Sequence, residues 1–202
     1  MVVNSLFRDK NFILASGSPR RKQLFTMMGL NYIVDVPLTD ESFSLERQPN
    51  EIAQDLAKEK GEVIRNKHNE GIVVAADTIV VIDNEILGKP VDRADAYSLL
   101  TRLSGREHEV ITGVYLNSLD KQQEINFTET TKVVFKNLSD EEKYGYIDTG
   151  HPMDKAGAYG IQDISAVFVK KIDGCFYNVV GFPVAAFYQQ CLRLFAMKQG
   201  TK

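Results

Sequence analysis

Apolar and polar positions alternate along the chain in a pattern that predicts a mixed α/β fold. Short apolar runs between turn residues indicate buried strands, and longer stretches with apolar residues three and four positions apart indicate helices. Strands are predicted over residues 12–15, 32–36, 72–76, 80–82, 85–87, 110–119, 125–135, 166–172 and 176–180. Helices are predicted over residues 19–28, 49–66, 93–103, 140–148 and 183–197. We therefore expect an elongated, twisted mixed sheet with flanking helices and two lobes around a cleft, built as one domain over residues 1–202 with a split near residue 105.

Composition and charge narrow the class of protein. The 202 residues can bury a real core, and a net charge of −3 does not suggest a nucleic-acid binder. Two cysteines without metal-like spacing and three scattered histidines offer no zinc signature. No apolar run approaches the roughly 20 residues of a membrane span, and the N-terminal residues lack the apolar stretch of a signal peptide. We therefore expect no membrane association and a cytoplasmic location, and any bound anion must be held by a local positive cluster.

The segment from Ser16 to Arg21 is a candidate anion site. Ser18 is a good helix N-cap and Pro19 a good first helical residue, so Arg20 and Arg21 fall in the first helical turn. Two arginines are unfavourable there because the helix dipole is positive, whereas free N–H groups and two guanidinium groups together attract a polyphosphate. The local pattern fits two solvent-facing arginines equally well.

Lys60 and Asp77 are charged residues in apolar surroundings. Lys60 lies within the apolar stripe of the helix predicted from residue 49, where it needs a partner or a cleft unless its ammonium reaches water. Asp77 lies between apolar segments, at the end of a predicted strand. A carboxylate there is costly unless a metal ion, a lysine or a reacting water binds it. A cap or turn carboxylate is the alternative interpretation of Asp77.

The roles of two further charged residues depend on what the fold places beside them. Glu41 follows Asp40 in a polar loop and matters if the fold brings it near Asp77, because Mg²⁺ is held by one or two carboxylates plus phosphate oxygens. Lys89 lies in a Gly-Lys-Pro segment, which offers a point charge beside a residue that permits close approach. A solvated loop explains the Glu41 pattern equally well, and an ordinary turn explains the Lys89 pattern equally well.

A loop of small residues over 154–162 ends in Gln162. Such a loop can pack closely against a flat ring, and the Gln162 amide places a donor beside an acceptor. Uracil and thymine present a carbonyl beside an N–H, which that amide matches. A structural glycine loop explains the same pattern.

Taken in chain order, these segments resemble the Maf family of nucleotide pyrophosphatases over about residues 13–194. The matching blocks are residues 14–21, 40–41, 60, 76–78, 87–90, 103–105, 112–114, 149–150, 154–162 and 178–183. The resemblance implies a fold related to inosine triphosphate pyrophosphatases, a homodimer, a divalent metal cation (Mg²⁺ or Mn²⁺) and hydrolysis between the α- and β-phosphates. The version of residues 158–162 found here resembles the branch that acts on dTTP and UTP, with a house-cleaning role against modified pyrimidine nucleotides.

The resemblance also implies roles for individual residues. Asp77 matches the catalytic aspartate of the family, and Arg20, Thr78 and Gln162 match positions tied to substrate choice. We therefore expect the catalytic residues to be Asp77, Lys60 and Lys89 and the metal ligands to be Glu41 and Asp77. The residues expected to bind substrate are Ser16, Ser18, Arg20, Arg21, Thr78 and Gln162.

The chain departs from the family pattern at a few positions. His151 stands where the family usually has Glu, Gly61 where it often has Ala, and residues 163–165 read Asp-Ile-Ser where Gly-x-Gly is usual. We expect the changes beside Gln162 to alter loop shape and substrate range. Two other functions stay open: a nucleotide-binding regulator of cell division with little turnover, which the complete catalytic set disfavours, and a 7-methyl-GTP pyrophosphatase, which Gln162 disfavours.

Overall fold

Seven strands form one mixed sheet in the computed structural model, which describes residues 6–39 and 47–196. The strands are β1 Asn11–Ala15, β2 Asn31–Val34, β3 Ile72–Ile82, β4 Glu85–Leu87, β5 Glu107–Ser118, β6 Gln123–Phe135 and β7 Val169–Asp173. Their order is β2-β1-β3-β5-β6-β7, with β4 paired to β3. β1 runs parallel to β2 and β3, whereas the β3–β4 and β6–β7 pairs are antiparallel. The predicted mixed α/β fold is confirmed.

The helices begin close to where capping residues predict them. They are α1 Pro19–Met27, α2 Pro49–Arg65, α3 Arg93–Leu103, α4 Asp140–Asp148, α5 Phe176–Val180 and α6 Val184–Ala196, with short 3-10 segments at His151–Asp154, Ala156–Ala158 and Ile164–Phe168. Ser18 caps α1, Asp92 caps α3, and Ser139 with Glu142 forms a capping box at the start of α4. Within the described residues, no helix combines the length and apolar character needed to cross a membrane.

Three predicted strand assignments are wrong. β3 is one continuous strand over residues 72–82, so Asp77 lies in its middle and not at its end. Residues 166–168 belong to a 3-10 segment, and β7 begins at Val169. Residues 176–180 form the short helix α5, in which the buried Asn178 amide donates to Val110 O at 2.9 Å and to Glu129 O at 3.1 Å. Periodicity alone cannot separate a short apolar strand from a buried helical turn.

The chain forms two compact units, each assembled from separated segments. The first takes the described residues within 1–77, 112–128 and 181–202, and the second takes 78–111 and 129–180. Ring contacts in the core of the first unit join Phe7, Phe12, Phe25, Phe182 and Phe187. The core of the second unit includes Leu100, Leu103, Phe135, Tyr146 and Phe168. Residue 105 lies within the second unit.

Candidate active site

Ser16 organises the loop that joins β1 to α1. Its Oγ accepts hydrogen bonds from the Ser18 N–H at 3.2 Å and from Arg21 Nη1 at 3.2 Å, and its side chain is buried. Ser18 Oγ accepts from the backbone N–H of Arg21 at 3.4 Å. The loop therefore enters the nine-residue helix α1 directly from a parallel strand, which is the usual geometry of an anion site at a helix N-terminus.

The two adjacent arginines of α1 have different surroundings. Arg21 Nε donates to the carbonyl oxygen of Gly181 at 2.9 Å, so Arg21 ties the loop to the segment before α6. Arg20 is half-buried in the first turn of α1, which contains no acidic residue. Arg21 thus holds the loop in shape, in addition to the substrate role expected for it.

Lys60 and Asp77 form a hydrogen-bonded ion pair. Lys60 extends from α2, and its Nζ donates to Asp77 Oδ1 in the middle of β3. Their side chains are 13% and 14% exposed. Residues of β3 on both sides of Asp77 and Thr78 are buried, whereas these two are half-buried. Of the three partners predicted for Asp77, the structure contains the lysine, and both side chains of the pair keep a small exposed fraction.

Two glycines bring α2 directly against β5. A Cβ atom on Gly61 would lie 2.1 Å from Tyr115 Cδ1, and one on Gly113 would lie 2.0 Å from the carbonyl oxygen of Ala53. Any larger residue would force the helix and the strand apart. Because Lys60 precedes Gly61, this close contact determines where the Lys60 ammonium lies relative to β3. The steric need for glycine at position 61, one of the departures from the family pattern, arises from Tyr115 on β5.

Lys89 and Gln162 both belong to the second unit and lie on connected loops. Lys89 is exposed just after β4, and the carbonyl of the preceding Gly88 accepts a hydrogen bond from the Gly157 N–H at 3.0 Å. Gly157 begins the turn towards Gln162 with a φ of 65°. Thr78 is half-buried at the start of the same unit. The loop of Lys89 and the loop of Gln162 are thus joined by a backbone hydrogen bond.

A buried pair, which the sequence did not reveal, anchors the loop of Gln162. The Tyr159 hydroxyl lies 2.8 Å from His108 Nε2, and the Tyr159 ring packs edge-on against Phe135 with centroids 4.7 Å apart. Burial lowers the pKa of His108 to about 4 and raises the pKa of Tyr159, so both side chains are neutral near pH 7. His108 is buried at the start of β5 between the exposed Glu107 and the half-buried Glu109, and this local alternation is the signal from which its buried role could have been found.

The family model described as Maf-like protein matches residues 11–194. The chain belongs to the Maf family. Two relatives, each named dTTP/UTP pyrophosphatase, come from Carboxydothermus hydrogenoformans, 48% identical over 88% of this chain and 95% of the relative, and from Bacillus velezensis, 47% identical over 87% and 92%. Among solved structures, the Staphylococcus aureus Ham1 protein matches 62% of this chain and 72% of its own with a TM-score of 0.45 and 17% identity, a likeness too weak to bear on function.

Among the described residues, Asp77 is the one expected metal ligand, and its half-buried carboxylate is of the oxygen type that Mg²⁺ takes. No group of three or more His, Cys, Asp or Glu side chains in the described residues could hold a metal by itself. Mg²⁺ commonly takes one or two carboxylates and completes its shell with phosphate oxygens and water. The Lys60 ammonium already binds one oxygen of this carboxylate, Asp77 Oδ1. Glu41, the second predicted ligand of this Maf chain, lies outside the described residues.

The positions where this Maf chain departs from the family pattern beside Gln162 are occupied by bonded side chains. Ser165 is buried and its N–H donates to Asp163 Oδ1 at 2.8 Å. His151, in contrast, is exposed, and its carbonyl oxygen accepts a hydrogen bond from Lys155 Nζ. The changes at 163 and 165 therefore alter the internal support of the loop.

Proposed function

We propose that this protein hydrolyses dTTP and UTP to the nucleoside monophosphate and pyrophosphate. The observation that carries the proposal is the Lys60–Asp77 pair. A carboxylate in the middle of an apolar strand costs free energy, so its half-buried position beside a lysine favours a role in catalysis over a structural role. The shared name of the relatives, which this chain matches at 48% and 47% identity, supports the choice of reaction and substrate.

The triphosphate is bound by the loop before α1 and by lysines. Backbone N–H groups at the start of α1 and the Ser18 hydroxyl contact phosphate oxygens, and Arg20 supplies a guanidinium in a turn without acidic residues. Arg21 and Ser16 hold the shape of this loop, and Arg21 also offers charge to the phosphates. Lys60 and Lys89 neutralise the charge that develops on the departing pyrophosphate.

Asp77 activates the attacking water. Its carboxylate accepts a hydrogen bond from Lys60, which fixes the orientation of the group, and takes a proton from a water aligned with the α-phosphorus. The bond from the water oxygen to the α-phosphorus forms, the bond from that phosphorus to the bridging oxygen breaks, and pyrophosphate leaves with the bonding electrons. A divalent cation, which Asp77 and Glu41 would hold, supplies charge neutralisation on the phosphates.

Recognition of the base falls to the second unit. Gln162 is exposed at the tip of a turn, so its amide can donate to a carbonyl and accept from the N–H of uracil or thymine. Thr78 contributes to the same choice of substrate.

Pyrophosphate release from a panel of nucleoside triphosphates, measured with Mg²⁺ or Mn²⁺, tests the reaction. Wild type is expected to release pyrophosphate from dTTP and UTP, and Asp77→Asn is expected to lose about 10³-fold or more in kcat with its fold intact. Asp83→Asn is the matched control, because Asp83 is exposed and pairs with Arg106 at 2.6 Å. Near-normal turnover by Asp77→Asn, or equal losses in both variants, would refute the assignment.

We also propose a location, an oligomeric state and a cellular role for the protein. We place it in the cytoplasm as a homodimer that removes modified pyrimidine triphosphates before polymerases use them. Light scattering of the purified protein measures the assembly, and a monomer at working concentration would contradict that part.

A further inference from the structure

Gln162 lies at the tip of a short turn. The N–H of Asp163 donates to the carbonyl oxygen of Gly160 at 3.1 Å, so Ile161 and Gln162 take the two central positions. Ile161 is buried and Gln162 is exposed. The turn therefore anchors itself through one side chain and presents the amide of the next.

Ser165 holds both ends of this turn. Its Oγ accepts from the Gly160 N–H at 3.1 Å and lies 2.9 Å from the Gly160 oxygen and 2.7 Å from Asp163 Oδ1. One hydroxyl hydrogen can serve one acceptor at a time, and the shorter distance and the charge both favour the carboxylate. Because Ser165 is fully buried, water does not replace these bonds when the side chain is removed.

The carboxylate of Asp163 connects the turn to its neighbours. Its Oδ2 accepts from the Tyr146 hydroxyl at 3.1 Å and lies 3.5 Å from Lys155 Nζ. Burial raises the pKa of Tyr146, which keeps that hydroxyl a donor. The Lys155 stem crosses Gly160, where a Cβ atom would lie 2.7 Å from Lys155 Cε. The turn is thus fixed to α4 and to the preceding loop through one carboxylate.

We propose that Asp163 and Ser165 are positioning residues that hold the Gln162 amide in place and so set the affinity for the pyrimidine base. This inference rests on the proposed function. Neither side chain needs to touch the nucleotide, because each acts on the turn that carries Gln162. A glycine at either position, the usual residue in the family pattern, would lack every side-chain bond described above, so the turn of this chain depends on support of its own.

Two variants test the proposal by steady-state kinetics with UTP. Ser165→Ala removes the hydroxyl, and Asp163→Asn keeps an acceptor but loses the charge that faces Lys155. Each is expected to raise KM by about 3- to 10-fold while kcat stays within about 2-fold, because a loosened turn weakens binding of the base and leaves the phosphates in place. Ser139→Ala is the control in the same unit, since its hydroxyl also bonds to a backbone N–H but in the cap of α4, and its KM is expected to equal that of wild type.

A double-mutant cycle with Gln162→Ala separates positioning from general stability. If Asp163 and Ser165 act through Gln162, their effect on KM disappears when Gln162 is already alanine. The proposal is overturned if both variants leave KM unchanged, or if they raise KM by the same factor in the Gln162→Ala background. Thermal unfolding identifies a misfolded Ser165→Ala, and Asp163→Asn then decides the result. Absence of UTP turnover in wild type would instead overturn the proposed function itself.

Discussion

The substitution Gly61→Ala tests the contact on which the position of Lys60 depends. The new Cβ atom would lie 2.1, 2.7 and 2.9 Å from three ring carbons of Tyr115. Carbon atoms pack at roughly 3.5–4.0 Å, so the ring or the helix must move by more than about 1 Å. The ring has little freedom, because Tyr115 is fully buried and its hydroxyl donates to Glu124 Oε2 at 2.9 Å.

The expected change in the free energy of unfolding combines two destabilising contributions and one stabilising contribution. Overpacking of a buried site costs about 1–3 kcal/mol, and a weakened hydrogen bond from Tyr115 adds about 1 kcal/mol. Replacing glycine by alanine inside a helix returns about 1 kcal/mol. Gly61→Ala is therefore expected to lower the free energy of unfolding by about 1–3 kcal/mol, although an alanine ordinarily favours a helix.

Gly145→Ala is a matched control in α4. Gly145 is exposed, and no described atom outside its own neighbourhood lies within 4 Å of its would-be Cβ. Its helix gains the propensity of alanine without a clash, so the free energy of unfolding should rise by up to about 1 kcal/mol. Urea unfolding followed by circular dichroism measures both variants against wild type.

A second background identifies the cause of the loss. In Tyr115→Ala the Cγ, Cδ1 and Cε1 atoms that obstruct residue 61 are all absent, so Gly61→Ala should cost at least about 1 kcal/mol less there than in wild type. Gly61→Ala that is as stable as wild type, or a penalty that is the same in both backgrounds, would refute the steric argument.

Three further predictions concern single side chains. Lys60→Met removes the partner of Asp77 and a positive charge near the phosphates, so kcat for UTP should fall by about 10²-fold or more, and unchanged kcat would exclude a catalytic role for the pair. Burial lowers the pKa of His108 to about 4, so the unfolded chain binds its proton first and the free energy of unfolding should decline by about 3 kcal/mol as pH falls from 6.5 to 4. Urea titrations at each pH should show a shallower decline in His108→Gln, which has no proton to bind. Burial raises the pKa of the Cys191 thiol, so a thiol reagent should label half-buried Cys175 in the native protein and reach Cys191 only after unfolding, as mass spectrometry will show.

Local signals were sufficient to predict most element boundaries. Ser18, Asp92 and Ser139 each cap a helix that was predicted to begin at the following residue, because a side-chain oxygen that bonds an N–H three residues on is a local interaction. The strands predicted over residues 80–82 and 85–87 left two residues between them, and Asp83 and Asn84 do adopt the left-handed backbone that a tight hairpin requires.

The residues of the candidate site stay predictions, and their geometry could not be predicted from the sequence. Apolar residues flank Asp77 on both sides whether a strand ends there or continues, and only the pairing of β3 with β1 and β4 decides. The ion pair joins Lys60 to a residue 17 positions away, which depends on how α2 lies on the sheet. The steric need for Gly61 was equally out of reach, because it arises from Tyr115 on another strand.

The discontinuous make-up of the two units has a consequence for synthesis on the ribosome. The second unit is completed once residue 180 has emerged, whereas the first unit still lacks the segment from residue 181 onwards. That segment contributes Phe182 and Phe187, whose rings pack on Phe25 in the aromatic core. The apolar rings of the N-terminal segment, Phe25 among them, therefore stay uncovered until Phe182 and Phe187 have been synthesised. A nascent chain stopped before residue 181 is expected to bind chaperones, and release of the last helix is expected to trigger folding of the part made first.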